Sequence, residues 1–258
     1  MAVIFLESKD NAKIKHLRGL IELNSARKKH QQTVLEGTHL CLTWLQQQKK
    51  IFSLFTTEQA LAHPDLQKII ELHKGHIFVI SEVLYKDLST LGTTLPCLAI
   101  IDLPSNIQTI DFSKDTLILE NVQDPGNVGT LLRSAAAANV KQVICTQGSA
   151  LLWSPRVLRA GMGAHFSLSC YENIVLQEIL PHFKIPVYVT SSHRSTSLYS
   201  KDLNQACVWI LGNEGQGASD YALKHAQAVT IPQPGGQESL NVAIAGSICL
   251  FEMVRQRQ

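Results

Sequence analysis

The chain has 258 residues, of which 45% are hydrophobic and 17% are charged, and its formal net charge is +2. This composition excludes a disordered or fibrous protein and allows two packed domains. The longest apolar runs, about nine or ten residues, are too short to cross a bilayer. The start, MAVIFLESKD, lacks the basic region of a signal peptide. We therefore expect a cytoplasmic protein with no membrane partner.

The cysteines and histidines support the same expectation. The six cysteines are widely spaced, and most lie within apolar runs, as packed and reduced thiols do in cytosolic proteins. The ten histidines show no metal-binding spacing such as HExxH, so we expect no structural metal.

The first 106 residues are predicted to form a small α/β domain that alternates helices with short strands. The predicted elements are, in order, helix Asn11–Leu23, strand Thr33–Glu36, helix Thr38–Gln47, strand Ile51–Thr57, helix Pro64–Lys74, strand His76–Ile80, helix Glu82–Leu88 and strand Cys97–Leu103. Turn-forming residues at Pro104–Asn106 indicate a linker. We therefore divide the chain into domains 1–106 and 107–258.

The beginning of this first domain is basic. Residues 1–50 hold nine Lys and Arg against four Asp and Glu. Six of these cations are candidate nucleic-acid contacts: Lys9, Lys13, Lys15, Arg18, Arg27 and Lys28. Lys9, Lys13 and His16 are expected on one helix face, with Leu17 and Leu20 toward the core. Such a face suits phosphate groups, and an ordinary solvated helix face is the alternative.

The second domain is predicted to repeat strands and helices. Its strands are expected at Thr116–Val122, Gln142–Thr146, Phe166–Tyr171, Val187–Thr190, Cys207–Leu211 and Ala228–Ile231. Its helices are expected at Val128–Ala138, Pro155–Met162, Val175–Phe183, Asp220–Ala226 and Leu240–Arg255. Strands that are apolar throughout indicate a mostly parallel sheet with helices on both faces. Functional residues of such folds collect in the loops that follow the strands.

The first of these loops leads from a strand through the turn DPGN into a helix. Asp124 or Asn127 can cap this helix. Arg133 is the one charged residue in an Ala- and Leu-rich stretch, which suggests a cation aimed at a phosphate or at a developing negative oxygen. A salt bridge from Arg133 to Glu120 or Asp124 is the alternative.

The second loop, Leu211–Ser219, holds three glycines and one carboxylate, Glu214. It lacks the GxGxxG order of a dinucleotide site and the Lys-Ser/Thr pair of a triphosphate site. This argues against an NAD enzyme. The alternative is a plain glycine-rich turn in which Glu214 caps the next helix.

The third loop lies within Ile231–Gly246. Two prolines and two glycines end a strand there and let the backbone pass close to a ligand. Ser239 is predicted to be the N-cap of the last helix, with Asn241 in its first turn. An ordinary β-to-α connection is the alternative. Since all three loops follow strands of one predicted sheet, they can gather at one edge and form a small-molecule pocket.

The three loops together resemble a known family. NVGTLLR at Asn127–Arg133, LGNEGQG at Leu211–Gly217 and IPQPGGQESLNVA at Ile231–Ala243 are similar to the three ordered motifs of the SPOUT-class RNA ribose methyltransferases, in the SpoU/TrmH branch. The likeness covers the whole second domain. The first domain, with VLEGTHL at Val34–Leu40, resembles the substrate-binding domain of that family, although this stretch is less specific.

This resemblance implies a function and an architecture. It implies S-adenosylmethionine as the methyl donor, a ribose 2′-OH of RNA as the acceptor, and a homodimer formed through the C-terminal domain. It also implies that the last helix and its preceding loop form a trefoil knot. The basic first domain resembles those of ribosomal-RNA enzymes, so 23S rRNA is the predicted substrate and transfer RNA the alternative. A non-catalytic RNA-binding protein with this fold is a further alternative.

The resemblance also assigns roles to residues. The implied active-site residues are Asn127, Arg133, Glu214, Ser239 and Asn241. The implied cofactor contacts, largely through backbone atoms, are Leu211, Gly212, Asn213, Gly215, Ile231, Pro232, Leu240 and Ala243. The chain departs from the family pattern at Gln233 and Pro234, and at Ala243, where a serine is frequent. These departures concern the shape of the cofactor pocket.

Arg133 is expected to act as a cation and not as a base. A guanidinium remains protonated in proteins, so it can anchor a phosphate and stabilise a developing alkoxide. The proton would then leave through an RNA phosphate oxygen or water. Asn127 is expected to orient Arg133, while Ser239 and Asn241 hold the loop and the ribose.

Overall fold

The computed structural model describes residues 3–90, 95–104, 109–192, 196–236 and 239–258. The chain folds into two compact units. The first unit contains Met1–Ser105 and Trp153–Gly163, and the second contains Asn106–Leu152 and Ala164–Gln258. Over the described ranges, no helix combines the length and the apolar character needed to cross a membrane.

The strands, in chain order, are β1 (Val3–Leu6), β2 (Gln32–Glu36), β3 (Ser53–Thr57), β4 (His76–Ile80), β5 (Leu98–Asp102), β6 (Thr116–Leu119), β7 (Gln142–Thr146), β8 (Ser169–Ile174), β9 (Val187–Thr190), β10 (Thr196–Ser197), β11 (Val208–Leu211) and β12 (Gln227–Thr230). The helices are α1 (Ala12–Glu22), α2 (Asn24–His30), α3 (Thr38–Gln46), α4 (Pro64–Leu72), α5 (Glu82–Leu88), α6 (Pro125–Ala137), α7 (Pro155–Gly161), α8 (Leu176–Ile179), α9 (Asp220–His225) and α10 (Val242–Gln256). Short 3₁₀ turns lie at Gln59–Ala62, Ala164–Ser167, Leu180–His182 and Leu198–Ser200.

The first unit is built on a five-stranded sheet in the order β1-β4-β3-β5-β2. Strand β5 runs antiparallel to both of its neighbours, and the β1–β4 and β4–β3 pairs are parallel. Helix α1 buries Leu17 and Leu20 against Phe55 and Phe78 from the sheet. Strand β1 and helix α2 are absent from the sequence-based prediction, because four apolar residues at a terminus and a basic seven-residue stretch show little periodicity.

The second unit is built on a seven-stranded sheet in the order β10-β12-β9-β11-β6-β7-β8, and every pair is parallel. One face of the central strands packs Ile118 and Ile210 into a core with α8 and α9. The other face packs against α6 and α10, where Leu211 lies beside Gly246 of α10. The predicted fold class, a mainly parallel sheet with helices on both faces, is confirmed.

The segment Trp153–Gly163 lies in the first unit, although the sequence-based division placed it in the second domain. The hydroxyl of Thr33 in β2 donates to the carbonyl oxygen of Trp153 at 2.7 Å. Arg159 of α7 donates to the carbonyl oxygen of Thr90 at 2.9 Å. These contacts link residues far apart in the chain, which is why local patterns did not indicate them.

The strand predicted at Thr116–Val122 ends at Leu119, and the helix predicted at Val128–Ala138 begins at Pro125. Two further predicted elements include a 3₁₀ turn. The strand expected at Phe166–Tyr171 begins at Ser169, because Ala164–Ser167 forms a 3₁₀ turn. The helix expected at Val175–Phe183 ends at Ile179 and continues as a 3₁₀ turn over Leu180–His182. Pro181 lacks the N–H that a continuing α-helix would use. All six cysteines are buried, free thiols.

Candidate functional site

The loop after β6 is fixed by the start of α6. The side chain of Asp124 accepts a hydrogen bond from the backbone N–H of Asn127 at 2.8 Å, and Pro125 occupies the first helical position. Both features favour a helix start, since the carboxylate satisfies an orphan donor and proline needs none. Of the two predicted capping residues, Asp124 is the cap. Asn127 is thereby placed in the first turn of the helix.

The loop after β11 folds back on itself. Asn213 and Gly217 exchange backbone hydrogen bonds of 2.9 Å each, and the side-chain oxygen of Asn213 accepts from the backbone of Gly215 at 2.9 Å. Gly212 allows this close approach, because a Cβ at that position would lie 2.2 Å from the backbone nitrogen of Ala218. The glycines therefore bring loop backbone against loop backbone.

Glu214 joins this loop to the loop after β6. Its carboxylate accepts from the backbone N–H groups of Gln123 and Asp124, both at 3.3 Å, and from the side-chain amide of Asn127 at 3.1 Å. Burial acts to raise the pKa of Glu214, but the hydrogen bonds together lower it below its usual value. Glu214 is therefore an ionised acceptor at neutral pH. The alternative in which it caps the next helix is wrong, since Ser219 caps α9.

Asn127 links Glu214 to the third loop. Because a carboxylate only accepts, the amide nitrogen of Asn127 faces Glu214, and its oxygen accepts from the side-chain amide of Asn241 at 2.9 Å. The side-chain oxygen of Asn241 in turn accepts from the backbone of Ala243 at 2.9 Å and Ile244 at 3.2 Å. Each amide orientation is thus set by its partners. One hydrogen-bonded chain, Glu214–Asn127–Asn241, connects the three motif loops.

The cap of α10 differs from the prediction. Asn241 is the N-cap, and the helix begins at Val242. Ser239, predicted to be the cap, lies two residues earlier and is exposed. The predicted first-turn position of Asn241 is therefore wrong. Asparagine and serine are equally good N-caps, so capping preference alone does not distinguish Asn241 from Ser239. Gln237 and Glu238 of this motif lie outside the described residues.

Arg133 is exposed on α6, six residues beyond Asn127. The alternative of a salt bridge is not formed. Glu120 instead accepts from the backbone and hydroxyl of Ser219, and Asp124 caps α6. Within the described part of the chain, the Arg133 guanidinium has no hydrogen-bond or ion-pair partner. It is an available cation and lies outside the hydrogen-bonded chain.

The predicted cofactor residues fall into three groups by exposure. Leu211, Gly212 and Ala243 are buried, and Asn213, Ile231 and Leu240 are half-buried. Gly215 and Pro232 are exposed. They lie on the loops after β11 and β12 and at the start of α10, so the structure brings these loops near the Asn127 network.

The third loop has a free acceptor and free space. The side-chain oxygen of Gln233 is buried and has no hydrogen-bond partner among the described residues. A Cβ added to Gly235 or Gly236 would meet no atom within 4 Å. A ligand that offers an N–H donor and a flat surface, such as adenosine, fits both features, because a buried acceptor is unfavourable without a donor. The residues present are therefore compatible with an adenosyl cofactor.

Two supporting contacts were not predicted from the sequence, where Asn213 was named as a cofactor contact and Glu120 as a possible partner of Arg133. The side-chain amide of Asn213 donates to the backbone oxygen of Asn121 at 2.9 Å. The side-chain carboxylate of Glu120 accepts a hydrogen bond from the backbone N–H of Ser219 at 2.9 Å. Glu120 stands at the end of β6, where a polar residue after an apolar strand could have indicated such a role.

The candidate RNA contacts in the first unit are not equivalent. Arg27 is 7% exposed and donates to the backbone oxygens of Leu20 at 2.8 Å and Ile21 at 3.2 Å, so its assignment to an RNA surface is wrong. It holds the end of α1. Lys15 pairs with Asp10 at 2.9 Å. Arg18 pairs with Glu22 at 3.4 Å and also with Asp87.

Three candidates remain available. Lys9, Lys13 and Lys28 are exposed, and they form no ion pair with described residues. Lys9 precedes α1, whose N-cap is Asn11, so the predicted placement of Lys9 on the helix face is wrong. Leu17 and Leu20 are buried as predicted.

Known proteins resemble this chain in sequence and in fold. Residues 114–251 match the model of the SpoU rRNA Methylase family, and residues 11–99 match that of the MRM3-like substrate binding domain. An uncharacterised tRNA/rRNA methyltransferase of Synechocystis is 33% identical over 98% of this chain and 94% of its own length. A 23S rRNA (guanosine-2′-O)-methyltransferase of Bacillus subtilis is 25% identical over 96% of this chain and 98% of its own.

Solved structures agree. A TrmH-family protein from Porphyromonas gingivalis has a TM-score of 0.82 and 33% identity over 95% of this chain and 98% of its own. A SpoU methyltransferase from Streptomyces viridochromogenes, crystallised with S-adenosylmethionine, has a TM-score of 0.87 at 21% identity over 96% of this chain and 98% of its own, which shows the shared fold. Fold and site thus define a methyltransferase. The chain belongs to the SpoU rRNA methylase family. The family resemblance inferred from the three motifs is confirmed.

Proposed function

We propose that the protein transfers a methyl group from S-adenosylmethionine to a ribose 2′-OH of 23S rRNA. The observation that carries this proposal is the chain Glu214–Asn127–Asn241, which ties together the three loops that hold the family motifs. The Bacillus subtilis relative is named for this reaction on 23S rRNA and aligns over 96% of this chain. The match of residues 11–99 to a substrate-binding domain supports RNA as the partner.

Cofactor binding is proposed at the loops after β11 and β12. The buried acceptor of Gln233 and the space beside Gly235 and Gly236 support an adenosyl group there. The bound donor supplies an electrophilic methyl group on a sulfonium. The loops contribute alignment, because in-line displacement requires the oxygen, the methyl carbon and the sulfur to be held in order.

Arg133 is proposed to hold the RNA phosphate near the reacting ribose and to stabilise negative charge on the 2′ oxygen. Its guanidinium stays protonated, so the proton would pass to a phosphate oxygen or to water. Both ends of the Asn127 amide are used by Glu214 and Asn241. We therefore assign Asn127 to fixing the loops, in place of the orienting role toward Arg133 expected from the sequence. Ser239, exposed before α10, is available to the ribose.

The quaternary and topological expectations are part of the proposal. Ile244 and Phe251 of α10 are 54% and 48% exposed and stand two turns apart, which suits burial in a homodimer. Helix α10 follows β12, near one edge of the sheet, yet packs on α6 and β11, which is compatible with a trefoil knot. A cytoplasmic location is proposed because rRNA and reduced thiols are found there.

A methyl-transfer assay tests the function. Purified protein is given labelled S-adenosylmethionine and total RNA from a strain that lacks the gene, and the RNA is separated by size and digested to nucleosides. We expect label in 23S rRNA as a 2′-O-methylnucleoside. Label on a base, or in transfer RNA, would contradict the proposed acceptor.

A variant pair ties the activity to the site. Asn127→Ala should abolish transfer because it breaks the link between the three loops. The matched control is Gln177→Ala, which removes an exposed amide on α8 and should leave transfer unchanged. Absence of label with every RNA, despite measured donor binding, would favour a non-catalytic RNA-binding protein.

A further inference from the structure

The first unit has a pocket of about 300 Å³ far in sequence from the motif loops. It lies where β1, β3 and β4 end at their carboxyl ends, on the side of the sheet edged by β1. Crevices at the carboxyl ends of parallel strands are common ligand sites. Its apolar lining includes the buried Leu6, Val79 and Ile80, and Phe5 at 60% exposure.

The polar lining of this pocket is acidic. Glu7, Glu58 and Glu82 line it, and no lysine or arginine is among its described lining residues. In the described part of the chain, none of the three carboxylates takes part in a hydrogen bond or ion pair. Three unpaired carboxylates around an apolar floor attract cations and repel phosphate. This pocket is therefore unsuited to the RNA backbone, unlike the basic surface with Lys13 and Lys28.

A buried hydroxyl marks the same pocket independently of its charge. Thr57 ends β3, lines the pocket and is only 1% exposed, and its Oγ1 has no hydrogen-bond partner among the described residues. The adjacent Thr56 shows the usual solution, since its hydroxyl donates to the backbone oxygen of Pro96 at 2.7 Å. A buried polar atom without a partner is unfavourable and needs an explanation. A ligand in the pocket that exchanges a hydrogen bond with Thr57 would supply one.

We propose that this pocket binds an aliphatic polyamine. The methylene groups contact Leu6, Val79 and Ile80, the ammonium groups pair with the three glutamates, and one ammonium donates to the Thr57 hydroxyl. Three carboxylates favour a ligand with two or more ammonium groups over a single lysine side chain. None of the residues that line this pocket belongs to the methyl-transfer loops, so the proposal does not depend on the proposed reaction.

Calorimetry with spermidine, on the full chain at low ionic strength, tests the proposal. We expect one saturable site with a Kd below about 1 mM. Glu58→Gln and Glu82→Gln should each weaken binding at least about fivefold, roughly 1 kcal/mol, because each removes one charge pair. The matched control is Glu71→Gln, an exposed glutamate on α4, which should bind as the native chain does.

Thr57→Val gives a second readout. Valine keeps the shape but removes the unpartnered hydroxyl, so the melting temperature should rise while spermidine binding weakens. If the melting temperature falls and binding is unchanged, the hydroxyl has a partner in the free protein and does not mark a ligand site, which would overturn the proposal.

Competing ligands complete the test. N-acetylcadaverine, with one ammonium group, should bind at least about fivefold more weakly than spermidine. Equal weakening by Glu71→Gln, or displacement by Mg²⁺ at equal charge concentration, would show non-specific screening and overturn the proposal. Binding of a lysine-containing peptide in preference to spermidine would also overturn it and would make the pocket a protein-docking site.

Discussion

At the scale of single residues, the site depends on the direction of its side-chain amides. Glu214 can only accept hydrogen bonds, so it sets the orientation of Asn127, and Asn127 sets that of Asn241. The cap of α10 requires the same orientation of Asn241 from its other end. These hydrogen bonds all require the same orientations of the two amides. Reversing either amide would place two donors, or two acceptors, opposite each other.

Glu214 should make the stability of the folded protein depend on pH. Its pKa is lower in the folded protein, so its contribution is present above the unfolded value and is lost as the pH falls through the folded value. Glu214→Gln should lower the free energy of unfolding at pH 7 by about 1 kcal/mol or less, because the group is exposed, and the melting temperature should fall slightly. The deficit should shrink below about pH 4.3.

Melting curves from pH 7 to pH 3 check this expectation, with Glu178→Gln on α8 as the exposed control. A deficit that stays constant across that range would show that the glutamine change acts through packing and not through the carboxylate charge.

Arg133 should matter for transfer and not for donor binding. Arg133→Ala is expected to lower the rate of methyl transfer by about 10²–10³, the usual effect of removing one charge-stabilising group, while S-adenosylmethionine binds as before. The transfer rate of Arg133→Lys should lie between those of the native chain and Arg133→Ala, because lysine keeps the charge but lacks the planar fork of donors.

Single-turnover transfer and calorimetry measure the two quantities for Arg133. Lys141→Ala, another exposed cation of the same unit, is the control. Loss of donor binding in Arg133→Ala would place this arginine in the cofactor pocket and contradict the role proposed for it.

At the scale of elements, the loop after β11 is the most constrained part of the site. It turns back so closely that Gly212 has no room for a Cβ, while a Cβ added to Gly215 would lie at an ordinary 3.6 Å from the side-chain oxygen of Asn213. The loop lacks the GxGxxG order of a dinucleotide site, and its glycines have a different structural role. They let Asn213 and Gly217 pair through their backbones and hold Glu214 toward α6.

Gly212→Ala should therefore damage both fold and site. A Cβ 2.2 Å from backbone atoms forces the loop to move, at a cost of about 1–3 kcal/mol or more. At about 2–4 °C per kcal/mol, the melting temperature should fall by roughly 2–12 °C. Donor affinity measured by calorimetry should fall as well.

Gly215→Ala, in the same loop, is the matched control for the melting temperature, which it should leave nearly unchanged. Equal behaviour of the two variants would mean that the close approach at Gly212 is relieved without cost.

At the scale of the whole molecule, two surfaces among the described residues suit the binding of a macromolecule. One is the exposed apolar side of α10 with Ile244 and Phe251, and the other is the set of free lysines in the first unit. Exposed apolar residues on one helix face suit a protein surface, whereas unpaired lysines suit phosphate. The two surfaces therefore serve different partners.

Phe251→Glu should separate the proposed homodimer. A charge buried in an apolar interface is strongly unfavourable, so sedimentation should show a monomer at concentrations where the native chain is dimeric. Leu223→Glu, a 39% exposed leucine on α9, should leave the dimer intact. Dissociation by both variants, or by neither, would place the interface elsewhere.

RNA binding should depend on salt through the free lysines. Lys13→Glu and Lys28→Glu should each weaken RNA binding and reduce the slope of log K against log salt by about one. Lys68→Glu is the control, since Lys68 already pairs with Asp65 at 3.1 Å. A slope that is unchanged in both variants would remove this surface from the RNA contact.

Much of the fold could be read from local patterns. Strands such as Gln142–Thr146, His76–Ile80 and Val187–Thr190 match their predicted bounds, because apolar runs between turn residues are strong local signals. Errors fall where the signal is weak or shared. Asn241 and Ser239 are equally good caps, and Val3–Leu6 is too short to show a period.

The sequence by itself determined the family, the parallel sheet and the loops that bear the motifs, because each of these is written in contiguous residues. Only the tertiary structure decided which groups the functional side chains hydrogen-bond to. Glu214 meets the backbone of Asp124 across 90 positions of the chain, and Arg27 turns inward to hold α1 instead of facing RNA. Such pairings depend on how strands are ordered in the sheet and on which side chains are buried, and neither is encoded in local spacing.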